Sequence, residues 1–183
     1  MRAELYWIEG PWVGRLGIVP RPRGGDWLED EIASWRRVGI DVVVSALTEE
    51  ENVELDLAGE KDACVAARIA FVAFPIEDRG TPASRKAALV LVRRLERELA
   101  SGKKIAIHCR QGVGRSALLA ACVLAAGGVD AALAWQRIAA ARGCTVPDTS
   151  EQREWVTRFV REILAPLRGR ESSAGDASTR THS

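Results

Sequence analysis

The stretch KIAIHCRQGVGRSALLAA, Lys104 to Ala121, decides how the rest of the chain is read. Its opening, Lys104 to His108, predicts a buried strand, and the segment Ser116 to Ala126 is apolar on nearly every side, which predicts a central helix. Cys109 ends the strand, five residues turn with Gly112 and Gly114 supplying permissive backbone, and the helix begins near Arg115. A strand turning this tightly into a helix makes a cup. Amide N–H groups of residues 110 to 115 can point inward as a nest, and the helix adds its positive end, so the expected occupant is a tetrahedral dianion such as phosphate, sulfate or vanadate. Arg115 offers a planar fork for two parallel charge-assisted hydrogen bonds to phosphoryl oxygens, where Lys would be a point charge. The same positive field stabilises a thiolate, so the Cys109 thiol is expected to fall from about 8.5 toward the roughly 3.5–7.5 range of activated cysteines. A lone cysteine is more often a small core residue. The offsets of Gly112, Gly114, Arg115 and Ser116 favour the chemical reading here.

Working outward, short apolar runs alternate with helical patterns from residue 40 onward. Ile40 to Ala46 is a β-branched strand ending at Thr48, a cap for the acidic helix TEEENVELD, whose early Glu residues suit the positive helix end. A helical stretch near Lys61 to Arg68 leads to a strand at Phe71 to Ile76, stopped by Pro75, Gly80 and Pro82 in the loop FPIEDRGTP. From Pro82 a long helix presents Ala88, Leu91, Val92, Leu95 and Leu99 on one side and is closed by Gly102. Helices at Asp130 to Arg142 and Ser150 to Leu164 follow, the second with a stripe of Trp155, Val156, Phe159, Val160, Ile163 and Leu164. Before residue 39, LYWI and RLGIV are expected to pair as a hairpin through Gly10 and Pro11, ahead of a helix at Asp26 to Val38. The order predicts an α/β fold: one domain over residues 1–167, with a central, mostly parallel twisted sheet of four to five strands and helices on both faces. Such sheets hold ligands at the carboxyl ends of their strands. The tail at 168–183 has no apolar residue larger than Ala and is expected to be disordered.

The 183 residues are 47% apolar and 28% charged, with 26 Lys and Arg against 25 Asp and Glu. That balance excludes a strongly basic nucleic-acid footprint and an acidic disordered chain, so no nucleic-acid partner is expected. Four scattered cysteines make neither a disulfide framework nor a metal cluster, which points to a reducing compartment and no metal. Glu4 and Glu9 interrupt any export signal, and the longest apolar run, Ala117 to Ala126, is about half a bilayer span. A cytoplasmic monomer without a membrane partner is the expectation.

The string His108, Cys109, five residues, Arg115, Ser116 resembles the HCx5R[ST] signature of cysteine-based protein tyrosine phosphatases. The short chain is similar to the small atypical dual-specificity type, including bacterial and archaeal members and cyclin-dependent-kinase-associated phosphatase. The resemblance covers roughly residues 1 to 165, because PIEDRGTP resembles the loop that carries the general acid about thirty residues before the nucleophile. It implies a mixed, mostly parallel sheet, no cofactor, and a phosphorylated protein or peptide as partner. Expulsion of a phenolate or alkoxide needs a proton donor, and the family pattern puts it at Asp78, with Glu77 the nearest competitor. The resemblance also implies that Ser116 steadies the departing thiolate, and it makes Gln152 a candidate for positioning the second-step water. His108, Arg110, Gln111, Gly112, Val113 and Gly114 complete the phosphate-binding loop. Adjacent strand residues point to opposite faces, so His108 is expected to brace the loop and not to act as a base for Cys109. Arg79, Arg21 and Arg23 are candidate substrate contacts, and within the run Glu49, Glu50, Glu51 either a plain acid cluster or a buried Glu orienting Arg115 is open. Inositol-lipid relatives carry lysines in the loop, where this chain has Arg110, Gln111 and Val113, and RNA triphosphatase relatives favour Asn where it has Gly114. The expected reaction is therefore hydrolysis of phosphotyrosine in proteins, with phosphoserine and phosphothreonine as further candidates, through a phosphocysteine. The alternatives are a phosphoinositide or other small phosphoester phosphatase and a non-catalytic phosphate-binding module. An activated Cys109 could also oxidise and condense with Cys64, Cys122 or Cys144.

Overall fold

Val42, Val43 and Val44 are all fully buried, and their side chains divide the molecule into two cores. They belong to β3 (Val42–Ser45), one of five strands with β1 (Tyr6–Ile8), β2 (Arg15–Ile18), β4 (Ala70–Ala73) and β5 (Lys104–His108). The computed structural model describes residues 4–167, so the tail expected at 168–183 lies outside the described residues. The sheet order is β1-β2-β5-β3-β4. The N-terminal hairpin pairs β1 with β2 antiparallel, and every other pairing is parallel. Strands buried on both faces can be apolar at consecutive positions, which is why VVV and IAI sit in the middle of the sheet.

Because side chains alternate across a strand, Val42, Val44, Ile105 and Ile107 face one way and Val43 and Ala106 the other. The first face is covered by α4 (Arg85–Ala100), α5 (Arg115–Ala126), α6 (Ala131–Arg142) and α7 (Ser150–Phe159). The second is covered by α1 (Leu28–Arg37) and α3 (Glu60–Ala66), with the short α2 (Glu49–Glu54) beside the carboxyl edge of the sheet. All twelve residues of α5 are buried, as its lack of a polar face requires.

Three boundaries move furthest from the sequence expectation. Strand β4 stops at Ala73 because Pro75 has no N–H to give the ladder, although Phe74 and Ile76 still donate to Ser45 and Ala46 at 2.9 and 3.2 Å. Helix α4 starts at Arg85 and not at Pro82, since the Ser84 hydroxyl accepts from the Ala87 N–H and sets the cap there. Helix α7 ends at Phe159 and widens into a π-turn over Val160–Leu164. Among the described residues no helix is long and apolar enough to cross a membrane.

The parallel strands β2, β5, β3 and β4 deliver their carboxyl ends to one edge, and the loops after β3, β4 and β5 meet there. Truncating the sheet centre should be felt throughout: Ile107→Ala, at a fully buried position, is expected to cost about 2–5 kcal/mol. The urea midpoint should drop with the slope of the transition unchanged.

Candidate active site

The turn after β5 is held from outside. Arg142, the last residue of α6, donates from Nε to the Gly112 carbonyl at 2.7 Å and from Nη2 to the Gln111 carbonyl at 3.2 Å. A trans peptide points its N–H opposite to its C=O, so fixing these carbonyls outward turns the N–H groups of Gly112 and Val113 inward. The Gly112 N–H accordingly donates to Cys109 Sγ at 3.3 Å, and Ser116 Oγ lies 3.4 Å from the same sulfur. Gly112 has φ +71°, a conformation that side chains disfavour. Gly114 has ordinary φ, and a Cβ there would meet the end of the exposed Asp148 side chain.

Arg115 is the largest fully buried side chain among the described residues. Its Nη1 and Nη2 meet Glu51 Oε2 and Oε1 at 2.6 and 2.8 Å, a fork on a fork, while Nη1 also donates to the Ile76 carbonyl at 2.9 Å. Burial works against its charge, but the Glu51 hydrogen bonds, helped by the Cys109, Glu51 and Asp78 charges, outweigh it and raise its pKa further. Glu51 shows the mirror image: burial would raise its pKa, yet the Arg115 hydrogen bond and the Thr48 amide bring it below the usual carboxylate range. Glu51 is also the third helical residue of α2, where it accepts from the Thr48 N–H at 3.0 Å while the Thr48 hydroxyl accepts from its own at 3.3 Å. Both readings left open for the acidic run therefore hold at once.

Asp78 Oδ1 stands 3.2 Å from Arg115 Nη2, with its side chain 66% exposed. Asp78, Arg79, Cys109, Arg110, Gln111, Gly114, Arg115 and Asp148 line one cavity of about 140 Å³. Glu77 is exposed and outside that lining. Gln152 is fully buried, with Oε1 accepting from the Thr149 N–H at 3.3 Å and Nε2 donating to the Gly80 carbonyl at 3.0 Å, so it ties α7 to the Asp78 loop. His108 faces away from Cys109, with Nε2 2.8 Å from the buried Glu60 Oε1 and its ring tilted against Trp35. Arg110 turns both terminal nitrogens to Glu54. Arg23 reaches Glu31, away from the cavity, and Arg21 donates to the neighbouring Pro22 carbonyl. Cys64 lies in the core on the other face of the sheet from Cys109, and burial, with the Glu60 charge, pushes its thiol up to about 12. Burial also raises Cys122, while Cys144 is exposed.

Sequence reasoning missed Glu54, Glu60, Arg142 and Asp148. Each of the four acts across a long stretch of chain, and only folding brings its partner near.

The family model described as the Swiss Army Knife protein DSP-PTPase phosphatase domain matches residues 12–159. The chain belongs to that family. Among curated proteins, 067L of Invertebrate iridescent virus 3, whose name places it with the tyrosine phosphatases, is 45% identical over 58 residues; these are 30% of this chain and 24% of that protein. Among solved structures, kinase associated phosphatase with its catalytic cysteine replaced by serine has a TM-score of 0.82 at 21% identity, covering 90% of this chain and 98% of that one. Tk-PTP in its active form has a TM-score of 0.73 at 26% identity, covering 89% and 100%. This DSP-type domain thus shares its architecture with cysteine phosphatases across nearly its whole described length.

Two outcomes follow from the geometry. Glu51→Ala takes the buried carboxylate away from Arg115, leaving the exposed Asp78 at 3.2 Å as its counter-charge, and is expected to cost about 3 kcal/mol at pH 7. Because the folded pKa of Glu51 is depressed, its contribution is fully present above the ordinary carboxylate value of about 4.3 and is lost as pH falls below it. The stability gap between variant and parent, followed by urea titration, should therefore narrow below about pH 4. Arg142→Ala releases the two loop carbonyls and should weaken vanadate binding by about tenfold in calorimetry.

Proposed function

We propose that this phosphatase domain dephosphorylates phosphotyrosine in proteins, with phosphoserine and phosphothreonine as further substrates, through a phosphocysteine on Cys109. One observation carries the reading: a buried sulfur faced by the Gly112 amide and the Ser116 hydroxyl shares a cavity with Arg115 and a solvent-reachable carboxyl at Asp78. In the first step the Cys109 thiolate attacks phosphorus in line. The S–P bond forms, the P–O bond to the leaving group breaks, and Asp78 gives that oxygen its proton. Arg115 and the inward amides hold the three equatorial oxygens. In the second step water attacks phosphorus, Asp78 takes its proton, and the S–P bond breaks while Ser116 steadies the departing thiolate.

Each residue's surroundings support its role. Arg115 is held rigid by Glu51 and the Ile76 carbonyl, so little ordering remains when a phosphoryl group arrives. Gln152 bonds the backbone two residues after Asp78, which makes it a candidate for setting the height of the acid above Cys109 as well as for positioning the second-step water. Arg79 has φ +57° and lines the same cavity, where it is a candidate contact for the substrate. Phosphate, sulfate and vanadate are the proposed small anions for the cup, and the cytoplasm the proposed location.

The test is hydrolysis of para-nitrophenyl phosphate with chelator present. The parent should be unaffected by chelator, while Cys109→Ser and Arg115→Ala should lose nearly all activity. Asp78→Asn should slow a phosphotyrosine peptide by about 100-fold or more, and slow an ester with an acidic leaving group less. Wild-type rates for Asp78→Asn on the peptide would overturn the acid assignment, and full activity of Cys109→Ser would overturn the mechanism.

A further inference from the structure

Arg110 directly follows Cys109 and lines the same cavity, the natural place for a cation that reads a second negative group on a substrate. Its guanidinium is already engaged: Nη1 donates to Glu54 Oε2 at 3.2 Å and Nη2 to Oε1 at 2.5 Å, and Glu51 Oε1 stands 3.9 Å from Nη1. Both parallel prongs of the fork are consumed by one carboxylate. Nothing in α2 itself calls for an acid at Glu54. It is the last helical residue, where a negative charge meets the negative end of the helix, and its side chain is 58% exposed. The contact with Arg110 is what orients it; the same contact lowers the Glu54 pKa, so the carboxylate stays charged through the physiological range.

The consequence for the rim is a shift from balanced to net negative charge. With Arg110 neutralised, a ligand descending to Cys109 passes the carboxylates of Asp78 and Asp148 and the cation of Arg79. A substrate carrying a second anion beside its phosphate must displace Glu54 from Arg110 before it can gain a contact there.

We propose that Glu54 is a specificity-determining residue which masks Arg110, so that the site favours phosphomonoesters with no second anionic group next to the phosphate. This rests on the phosphatase reading above and deepens it. The second anion could be an acidic side chain beside a phosphotyrosine or a further phosphate on a compact ring, and both would use the same guanidinium.

The experiment compares kcat/KM of the parent, Glu54→Gln and Glu54→Gln/Arg110→Gln on three probes: para-nitrophenyl phosphate, a matched pair of phosphotyrosine peptides with Asp or Gln beside the phosphotyrosine, and an inositol bisphosphate. Glu54 touches no reacting atom, so Glu54→Gln should hydrolyse para-nitrophenyl phosphate at the parental rate. Its preference for the Asp peptide over the Gln peptide should rise by about three- to fivefold, the range expected for an exposed pair. The gain should vanish in the double variant and fade in about 1 M salt, where screening is nearly complete. A rise with the inositol bisphosphate as well marks a general second-anion filter, and a rise with the peptide alone marks one for acidic sequences; either supports the proposal. An unchanged Asp-to-Gln ratio, or an equal fall on every probe, overturns it. Absence of hydrolysis by the parent on every probe would instead refute the phosphatase reading, so the two failures are distinguishable.

Discussion

The paired forks of Arg115 and Glu51 are the constraint around which the site is built. A guanidinium at 1% exposure is tolerable only with its charge balanced and its donors satisfied, and Glu51 does both at 2.6 and 2.8 Å. The pair also joins three parts of the chain. Glu51 is bound to the start of α2 through its capping box with Thr48, Arg115 starts α5, and the Ile76 carbonyl brings in the loop after β4. Arg115 therefore reaches the cavity already aimed, with its Nη2 beside Asp78.

A second layer of support shapes the loop itself. Arg142 fixes two carbonyls outward, and the planarity of the peptide then sends the neighbouring amides inward toward Cys109. Arg142 is in turn steadied by the face of Tyr6, 3.9 Å from the ring centre, so the N-terminal hairpin contributes to the cup from the far side of the sheet order. His108 shows the opposite use of alternation: one residue from Cys109, it points into the other core and meets Glu60 and Trp35. The turn between β5 and α5 can thus be rigid even though its own residues include two glycines.

Much of this was legible in the chain. The runs VVV and KIAIH announce buried strands because few other segments are apolar at consecutive positions, and the all-apolar α5 could only be central. Cys109, Gly112, Gly114, Arg115 and Ser116 are close in sequence, so their spacing alone predicts the cup. The boundaries of β4 and α4 were less legible, since a proline and a serine cap competed with the apolar pattern. Glu54, Glu60, Arg142 and Asp148 carried no signal, because an Arg or an acid on a helix is ordinarily solvated and only a partner far along the chain makes it otherwise.

The sequence by itself determined the α/β order, the cup with its cysteine and arginine, and the acidic loop after the fourth strand, all of which depend on local periodicity and short spacing. Only the tertiary structure decided which acid meets which arginine. Charge pairing acts over a few ångströms in space, and residues 64 apart such as Glu51 and Arg115 become neighbours only when parallel strands bring their carboxyl ends to one edge.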